Sequence, residues 1–199
     1  MRQLLGTDDL PVGARTLLNR QQIDAALLAM VQQIEALAWP RDAERQDDPT
    51  LWLCGIQRGG VAVARELLEI MQKHHGDRVQ LGAIDVTLYR DDMWLKGPRA
   101  VEGVTSLPGD VSGQRVLLVD DVLFTGRTIR AALNVLMDFG RPEAVRLAVL
   151  VDRGGRELPV AAEVVGERME IARGETVELC VDTDGHLSSV IVRPSAHGQ

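Results

Sequence analysis

Between Arg115 and Gly140 one ordered string limits what this chain can fold into. The apolar run Val116-Leu117-Leu118-Val119 stops on two adjacent carboxylates, Asp120 and Asp121. Val122-Leu123-Phe124 follows, and Thr125-Gly126-Arg127-Thr128 opens a helix predicted over Arg127–Gly140. A helix N-terminus presents unpaired N–H groups and a positive dipole end, so it is a ready site for phosphate. Gly126 lets the backbone come close to an anion, and the Thr125 and Thr128 hydroxyls add donors. The carboxylates are poor phosphate ligands. They suit vicinal hydroxyls, or a Mg²⁺ ion shared with those hydroxyls. The string asks for a molecule with a phosphate at one end and a diol in its middle, as in a ribose 5-phosphate.

The rest of the chain supplies a frame for that string. Ile23, Leu27, Met30, Val31, Ile34 and Leu37 are spaced for one face of a helix over Ile23–Leu37, and a polar loop over Arg41–Thr50 follows Trp39-Pro40. Leu51–Ile56 reads as a buried strand broken by Gln57-Arg58-Gly59-Gly60, after which Val61–His75 returns to helical spacing. Further strands are expected at Val79–Tyr89, Arg115–Asp120, Val145–Val151 and Ala162–Val165. A closing hairpin is expected from Thr176–Val181 and Ser188–Val192, joined through Asp182-Thr183-Asp184-Gly185. Arg90–Asp110 has little periodicity and reads as a long loop. Apolar strands alternating with helices predict an α/β fold with a mainly parallel sheet, whose ligands sit beyond the carboxyl ends of the strands.

Composition narrows the partners. At 199 residues the chain suits a single domain over 1–199, and its 45% hydrophobic and 26% charged content is ordinary for a globular protein. Aromatics make up only 3%, so the core must be mainly aliphatic. The net charge of −7 disfavours RNA or DNA as the main ligand. No apolar run approaches the roughly 20 residues of a membrane span. The opening Met1–Asp9 does not read as a secretory signal, and Cys54 and Cys180 read as two buried thiols of a reducing, cytoplasmic protein.

On these residues the chain resembles the type I phosphoribosyltransferases, whose signature for phosphoribosyl pyrophosphate (PRPP) is a strand, two acids and a Thr-Gly turn. The resemblance is closer to the PyrR family of pyrimidine-operon regulators and uracil phosphoribosyltransferases. It rests on Val119–Thr128, on Asp85-Val86-Thr87-Leu88-Tyr89-Arg90-Asp91-Asp92, on Leu136–Pro142, and on Leu147–Pro159 with Val151-Asp152-Arg153-Gly154. It implies the type I fold, with helices flanking the sheet, a flexible loop at about 91–110 and a small hood from about 152 to 199.

It also implies site residues. Asp120, Asp121, Thr125, Gly126, Arg127 and Thr128 would hold ribose and phosphate, with Mg²⁺ on Asp120 and Asp121 directly or through ribose hydroxyls and water. Gln57, Arg58, Gly59 and Gly60 match the family's pyrophosphate loop, although the family has its Arg where this chain has Gly59. Arg58 and Arg90 would act on the leaving pyrophosphate, with help from Lys96 or Arg99; Asp91 and Asp92 could instead pair with those bases on a solvated loop. Phe124, Asp152 and Arg153 would face the base. Purine members commonly carry an Asp at the position of Phe124, so uracil is the expected acceptor, with UMP as product and UMP- or UTP-type nucleotides as ligands. An alternative is a catalytically weak nucleotide sensor that binds RNA or a protein partner. RNA-binding members have a basic first helix and a His after Asp-Arg-Gly. This chain has Asp24, Ala25 and Gly155 there, while Arg15, Arg20, Arg141, Arg168 and Arg173 remain as a candidate patch. The apolar first helix and the few aromatics predict a homodimer or higher homo-oligomer.

Overall fold

The computed structural model describes residues 13–37, 50–87 and 104–195. In chain order the elements are β1 (Arg15–Leu18), α1 (Arg20–Glu35), β2 (Leu51–Ile56), α2 (Gly59–His75), β3 (Val79–Ile84), β4 (Arg115–Leu123), α3 (Arg127–Asp138), β5 (Ala144–Asp152), β6 (Val164–Arg168), β7 (Glu175–Val181) and β8 (Leu187–Pro194). A short 3₁₀ turn, Gly76–Arg78, joins α2 to β3. The main sheet runs β3-β2-β4-β5-β6 with every pairing parallel. This is the doubly covered parallel sheet that alternating apolar strands and helices predict.

Strand periodicity divides the core in two. Leu53, Leu117, Val119, Ala148 and Leu150 pack with α1 and α2 residues such as Leu27, Met30, Val63 and Leu67. Trp52, Cys54, Ile56, Val116, Leu118 and Val149 pack with Ile129, Ala132, Val135 and Leu136 of α3. No helix among the described residues is long and apolar enough to cross a membrane.

A second sheet, β1-β8-β7, is antiparallel and adds Val177, Leu179, Val190 and Val192 to the first core. The hairpin β7–β8 lies where the Asp-Gly turn predicts. Its third strand, β1, has too short an apolar run to be read locally. The chain then enters α1 through a capping box, with the Asn19 side chain accepting from the Gln22 amide and Gln22 accepting from the Asn19 amide, both at 3.0 Å. The apolar face of α1, on which the homodimer expectation rests, is buried inside the chain through Ile23, Ala26, Leu27, Met30, Val31 and Ile34.

Several boundaries move for identifiable reasons. β3 ends at Ile84 rather than Tyr89, because Asp85 accepts the Thr87 amide at 2.8 Å and turns the chain. β4 continues past Asp120 to Leu123, because β5 goes on pairing with it through Val122↔Val151 and Leu123↔Asp152. β6 sits later than expected, where Val164 and Val165 pair with Ala148 and Val149. Helix α2 begins at Gly59, so both glycines belong to its first turn.

The β6 edge is covered by a side chain. Gln33 of α1 donates Nε2 to the Val165 carbonyl at 3.0 Å and accepts the Val165 amide at 3.1 Å, as a neighbouring strand would. Gln33→Ala strips both partners from a partly buried edge. It is expected to lower unfolding stability by about 1–3 kcal/mol, read as a shift of the urea midpoint. An unchanged midpoint would mean that water replaces the amide without loss.

Candidate active site at the carboxyl ends of β2, β4 and β5

Parallel register brings three strand ends together. Gly55 of β2 lies opposite Val119 of β4, and Leu123 of β4 lies opposite Asp152 of β5. The turns after these strands therefore open on one edge of the sheet, where ligands of such folds bind.

The first turn, Gln57-Arg58-Gly59-Gly60, seats the N-terminus of α2 directly on β4. A Cβ on Gly60 would lie 2.9 Å from the Asp120 Cα and closer still to the Val119 carbonyl oxygen. A Cβ on Gly59 would lie 2.5 Å from the Asp121 Cγ. Gly55 is equally pressed, with Val61 Cα 2.5 Å from where a Cβ would stand. No side chain fits at 59 while Asp121 keeps its place, so the turn's guanidinium comes from exposed Arg58 at the α2 N-cap. The Gln57–Arg58 peptide is cis. Gln57 donates its amide to the Ile84 carbonyl at 2.9 Å, which fixes the turn against the end of β3.

Asp120 and Asp121 lie within β4, and both are buried. Asp120 Oδ1 accepts the Asp121 amide at 3.0 Å, and Asp121 Oδ1 accepts the Val122 amide at 2.9 Å, so both carboxylates are held by local backbone. Past the strand, Gly126 is the N-cap of α3 with φ 89°, a left-handed conformation that suits glycine. Thr125 Oγ1 accepts the Arg127 amide at 3.4 Å, and the Arg127 guanidinium pairs with Glu157 at 2.7 Å. Among the described residues no three or more His, Cys, Asp or Glu side chains gather as a metal cage. Two neighbouring carboxylates fit a Mg²⁺ ion that takes its remaining oxygens from ligand and water.

Phe124 and Arg153 come together, while Asp152, opposite Leu123 at the end of β5, is engaged by Arg156 and the Gly154 amide. The Arg153 guanidinium lies 4.2 Å from the Phe124 ring centroid, a cation–π geometry. Arg153 is itself buried and donates to the Glu175 carbonyl at 2.8 Å, so β7 holds it in place. Phe124 stays 39% exposed, leaving aromatic surface open to a ligand. Burial acts to raise the Asp152 carboxyl pKa. Arg156 and the Gly154 amide outweigh that effect and hold the group below its usual range. Arg156 is absent from the sequence reading. Its i,i+4 spacing from Asp152 is the only side-chain signal, and its other partners are carbonyls, of which those of Leu123 and Phe124 are brought to it by the fold.

Other expected residues are placed differently. Arg90, Lys96, Arg99, Asp91 and Asp92 lie outside the described residues. The returning end of that loop is described: Ser106 exchanges two backbone hydrogen bonds with Ala83 at 2.7 and 2.8 Å, and Gln57 Nε2 reaches the Val104 carbonyl at 3.5 Å. The loop thus returns beside the first turn. Of the candidate patch, Arg15 pairs with Glu175 and Arg20 with Glu66 and Asp24, whereas Arg141, Arg168 and Arg173 are exposed on separate elements.

Comparison with known proteins matches this architecture. Residues 22–183 match the phosphoribosyl transferase domain. The chain is 42% identical over 188 residues to the bifunctional protein PyrR of Roseiflexus sp. (strain RS-1), covering 93% of this chain and 98% of that one. The bifunctional protein PyrR of Corynebacterium glutamicum is 41% identical, with 92% of this chain and 94% of that one covered. Among solved structures, the hypoxanthine phosphoribosyltransferase of Trypanosoma cruzi aligns over 91% of this chain and 97% of its own, with a TM-score of 0.63 and 20% identity. The HGPRT-ase of Leishmania tarentolae, solved with GMP, aligns over 94% and 100% with the same score and identity. The likeness to these two structures is one of fold. With a domain model covering most of its length and relatives above 40% identity matched nearly end to end, the chain belongs to the phosphoribosyl transferase domain family and, within it, to the PyrR family.

Proposed function

We propose that the chain transfers the phosphoribosyl group of PRPP to uracil, forming UMP and pyrophosphate. One observation carries the reading: two helix N-termini, of α2 at Gly59 and of α3 at Arg127, flank a strand that carries Asp120 and Asp121. Each helix N-terminus favours an anion, and the carboxylates between them favour a diol or a cation. PRPP has that order of groups, with a phosphate, a ribose diol and a diphosphate.

In this reading the turn at Thr125–Thr128 binds the 5-phosphate. Asp120 and Asp121 hold the ribose hydroxyls, and with them Mg²⁺, which lowers the charge of the diphosphate when bound. Gln57–Gly60 cradles the diphosphate, and Arg58, joined by Arg90, stabilises the charge that grows on it as the C1–oxygen bond breaks. N1 of uracil forms the new bond to C1 as the C1–diphosphate bond breaks, and its proton passes to the departing pyrophosphate or to water. Phe124, Arg153 and Asp152 surround the base. Phe124 cannot exchange a proton, which suits uracil because its N1 proton is already acidic. RNA recognition finds less support, since the chain carries net charge −7 and two of its five candidate arginines pair with carboxylates of the chain itself.

The test is a steady-state assay with PRPP, Mg²⁺ and, in turn, uracil, hypoxanthine and orotate. UMP formation with uracil alone is expected, and chelation of the metal should stop it. Turnover of hypoxanthine alone would overturn the proposal. Binding of PRPP and UMP without product would favour the nucleotide-sensing alternative.

A further inference from the structure

We infer that Arg156 is a positioning residue for the base half of the site, fixing the spacing between the Phe124 platform and the loop that carries Arg153. The inference rests on the uracil reading above and adds a residue to it. Arg156 lies on the loop after β5, and its guanidinium gathers partners from three places. Nη1 donates to the carbonyls of Leu123 at 3.3 Å, Phe124 at 2.8 Å and Gly154 at 3.2 Å. Nε donates to the Val160 carbonyl at 3.0 Å, and Nη2 pairs with Asp152 Oδ1 at 2.6 Å.

An ordinary ion pair between Asp152 and Arg156 would leave most of these donors in water. Here four backbone carbonyls converge on one side chain whose exposure is only 22%. They come from the end of β4 and from both limbs of the loop over 152–160. Only a planar fork with five N–H groups can span them, and a lysine ammonium cannot.

The consequence falls on the aromatic ring. Phe124 has Arg153 over its face and Gly155 against its edge; a Cβ on Gly155 would stand 2.5 Å from Phe124 Cε2. Both neighbours ride on the loop that Arg156 ties to the Phe124 carbonyl. Without that tie, the ring and the loop can shift relative to each other. The ribose-phosphate half has supports that do not involve this loop: the Gly59–Gly60 seat and the local bonds of Asp120 and Asp121. Loss of Arg156 should therefore separate base affinity from PRPP affinity.

UMP and PRPP share the ribose 5-phosphate and differ at C1, where UMP carries the base and PRPP the diphosphate, so only UMP reports on the base half in a calorimetric titration of the full chain. Arg156→Gln is expected to weaken UMP about ten-fold or more while PRPP changes by no more than about two-fold, the scale on which a small misplacement of a site acts. Arg156→Lys should show the same selectivity at smaller size, and it decides the matter if the Gln variant does not fold. In the assay, KM for uracil should rise while KM for PRPP holds. Equal weakening of UMP and PRPP, or unchanged UMP binding, would overturn the inference while leaving the uracil reading intact. A wild-type chain that binds PRPP but no UMP would overturn both.

Discussion

Gly60→Ala is expected to remove PRPP binding and to cost the fold stability as well. The new methyl group would meet the Val119 carbonyl oxygen and the Asp120 Cα, both backbone atoms of the central strand. Backbone in the middle of a five-stranded parallel sheet cannot step aside, so α2 must lift. Overpacking of this kind costs about 1–3 kcal/mol, and a shift of about 1 Å at the reacting centre can lower turnover about 100-fold. Gly59→Ala differs in kind. Its methyl would meet the Asp121 carboxylate, which can turn, and the Asp121 Cβ at 2.9 Å, which cannot, so only the larger part of the clash is relieved by rotation. That variant should lose less stability than Gly60→Ala, yet lose activity, because Asp121 has been turned from its place. Gly109→Ala is the control, since its nearest neighbour is Trp52 Cη2 at an ordinary 3.9 Å. Thermal unfolding and PRPP titration of the three variants separate these cases. A Gly60→Ala protein with parental binding would show that the helix does not rest on the strand as described.

These glycines also mark how far sequence reading reaches. The string from Val116 to Thr128 was legible because its chemistry is local: apolar run, acids, turn and helix start follow one another along the chain. The two glycines after Arg58 were visible too, but their reason was not, since Asp121 lies more than sixty residues further on. β1 went unread because four residues acquire strand character only by pairing with β8 at the other end of the chain. The extension of β4 through Asp121 to Leu123 likewise depends on its partner, β5. Phe124, Asp152 and Arg153 are expected at the base only through family resemblance, and of the three the fold sets the Arg153 guanidinium over the Phe124 ring. Arg156 escaped because four of its acceptors are main-chain carbonyls, which no side-chain pattern encodes.

Loss of the Glu66 carboxylate should produce the largest stability effect outside the site. Glu66 lies on the buried side of α2 with 7% of its side chain exposed, and both of its oxygens are engaged. Arg20, the first residue of α1, donates Nη1 to Oε1 at 2.8 Å and Nη2 to Oε2 at 2.7 Å. The Leu187 amide of β8 donates to Oε1 at 2.7 Å, while Arg20 Nη1 returns to the Leu187 carbonyl at 2.5 Å. One carboxylate thus joins α1, α2 and the second sheet. Breaking one partner of a buried pair costs about 3–5 kcal/mol. The value here belongs near the low end, because Arg20 is 43% exposed and keeps Asp24 and water. Glu66→Ala also leaves the Leu187 amide without its acceptor, whereas Glu66→Gln keeps an oxygen for it and should cost roughly half as much. Urea unfolding of Glu66→Ala, Arg20→Ala and the double variant reads the coupling directly. If the two single losses simply add, the carboxylate and the guanidinium act independently and the three-way junction is not the tie that the geometry describes. A double variant no less stable than Glu66→Ala alone would show that Arg20 stabilises the fold only through Glu66.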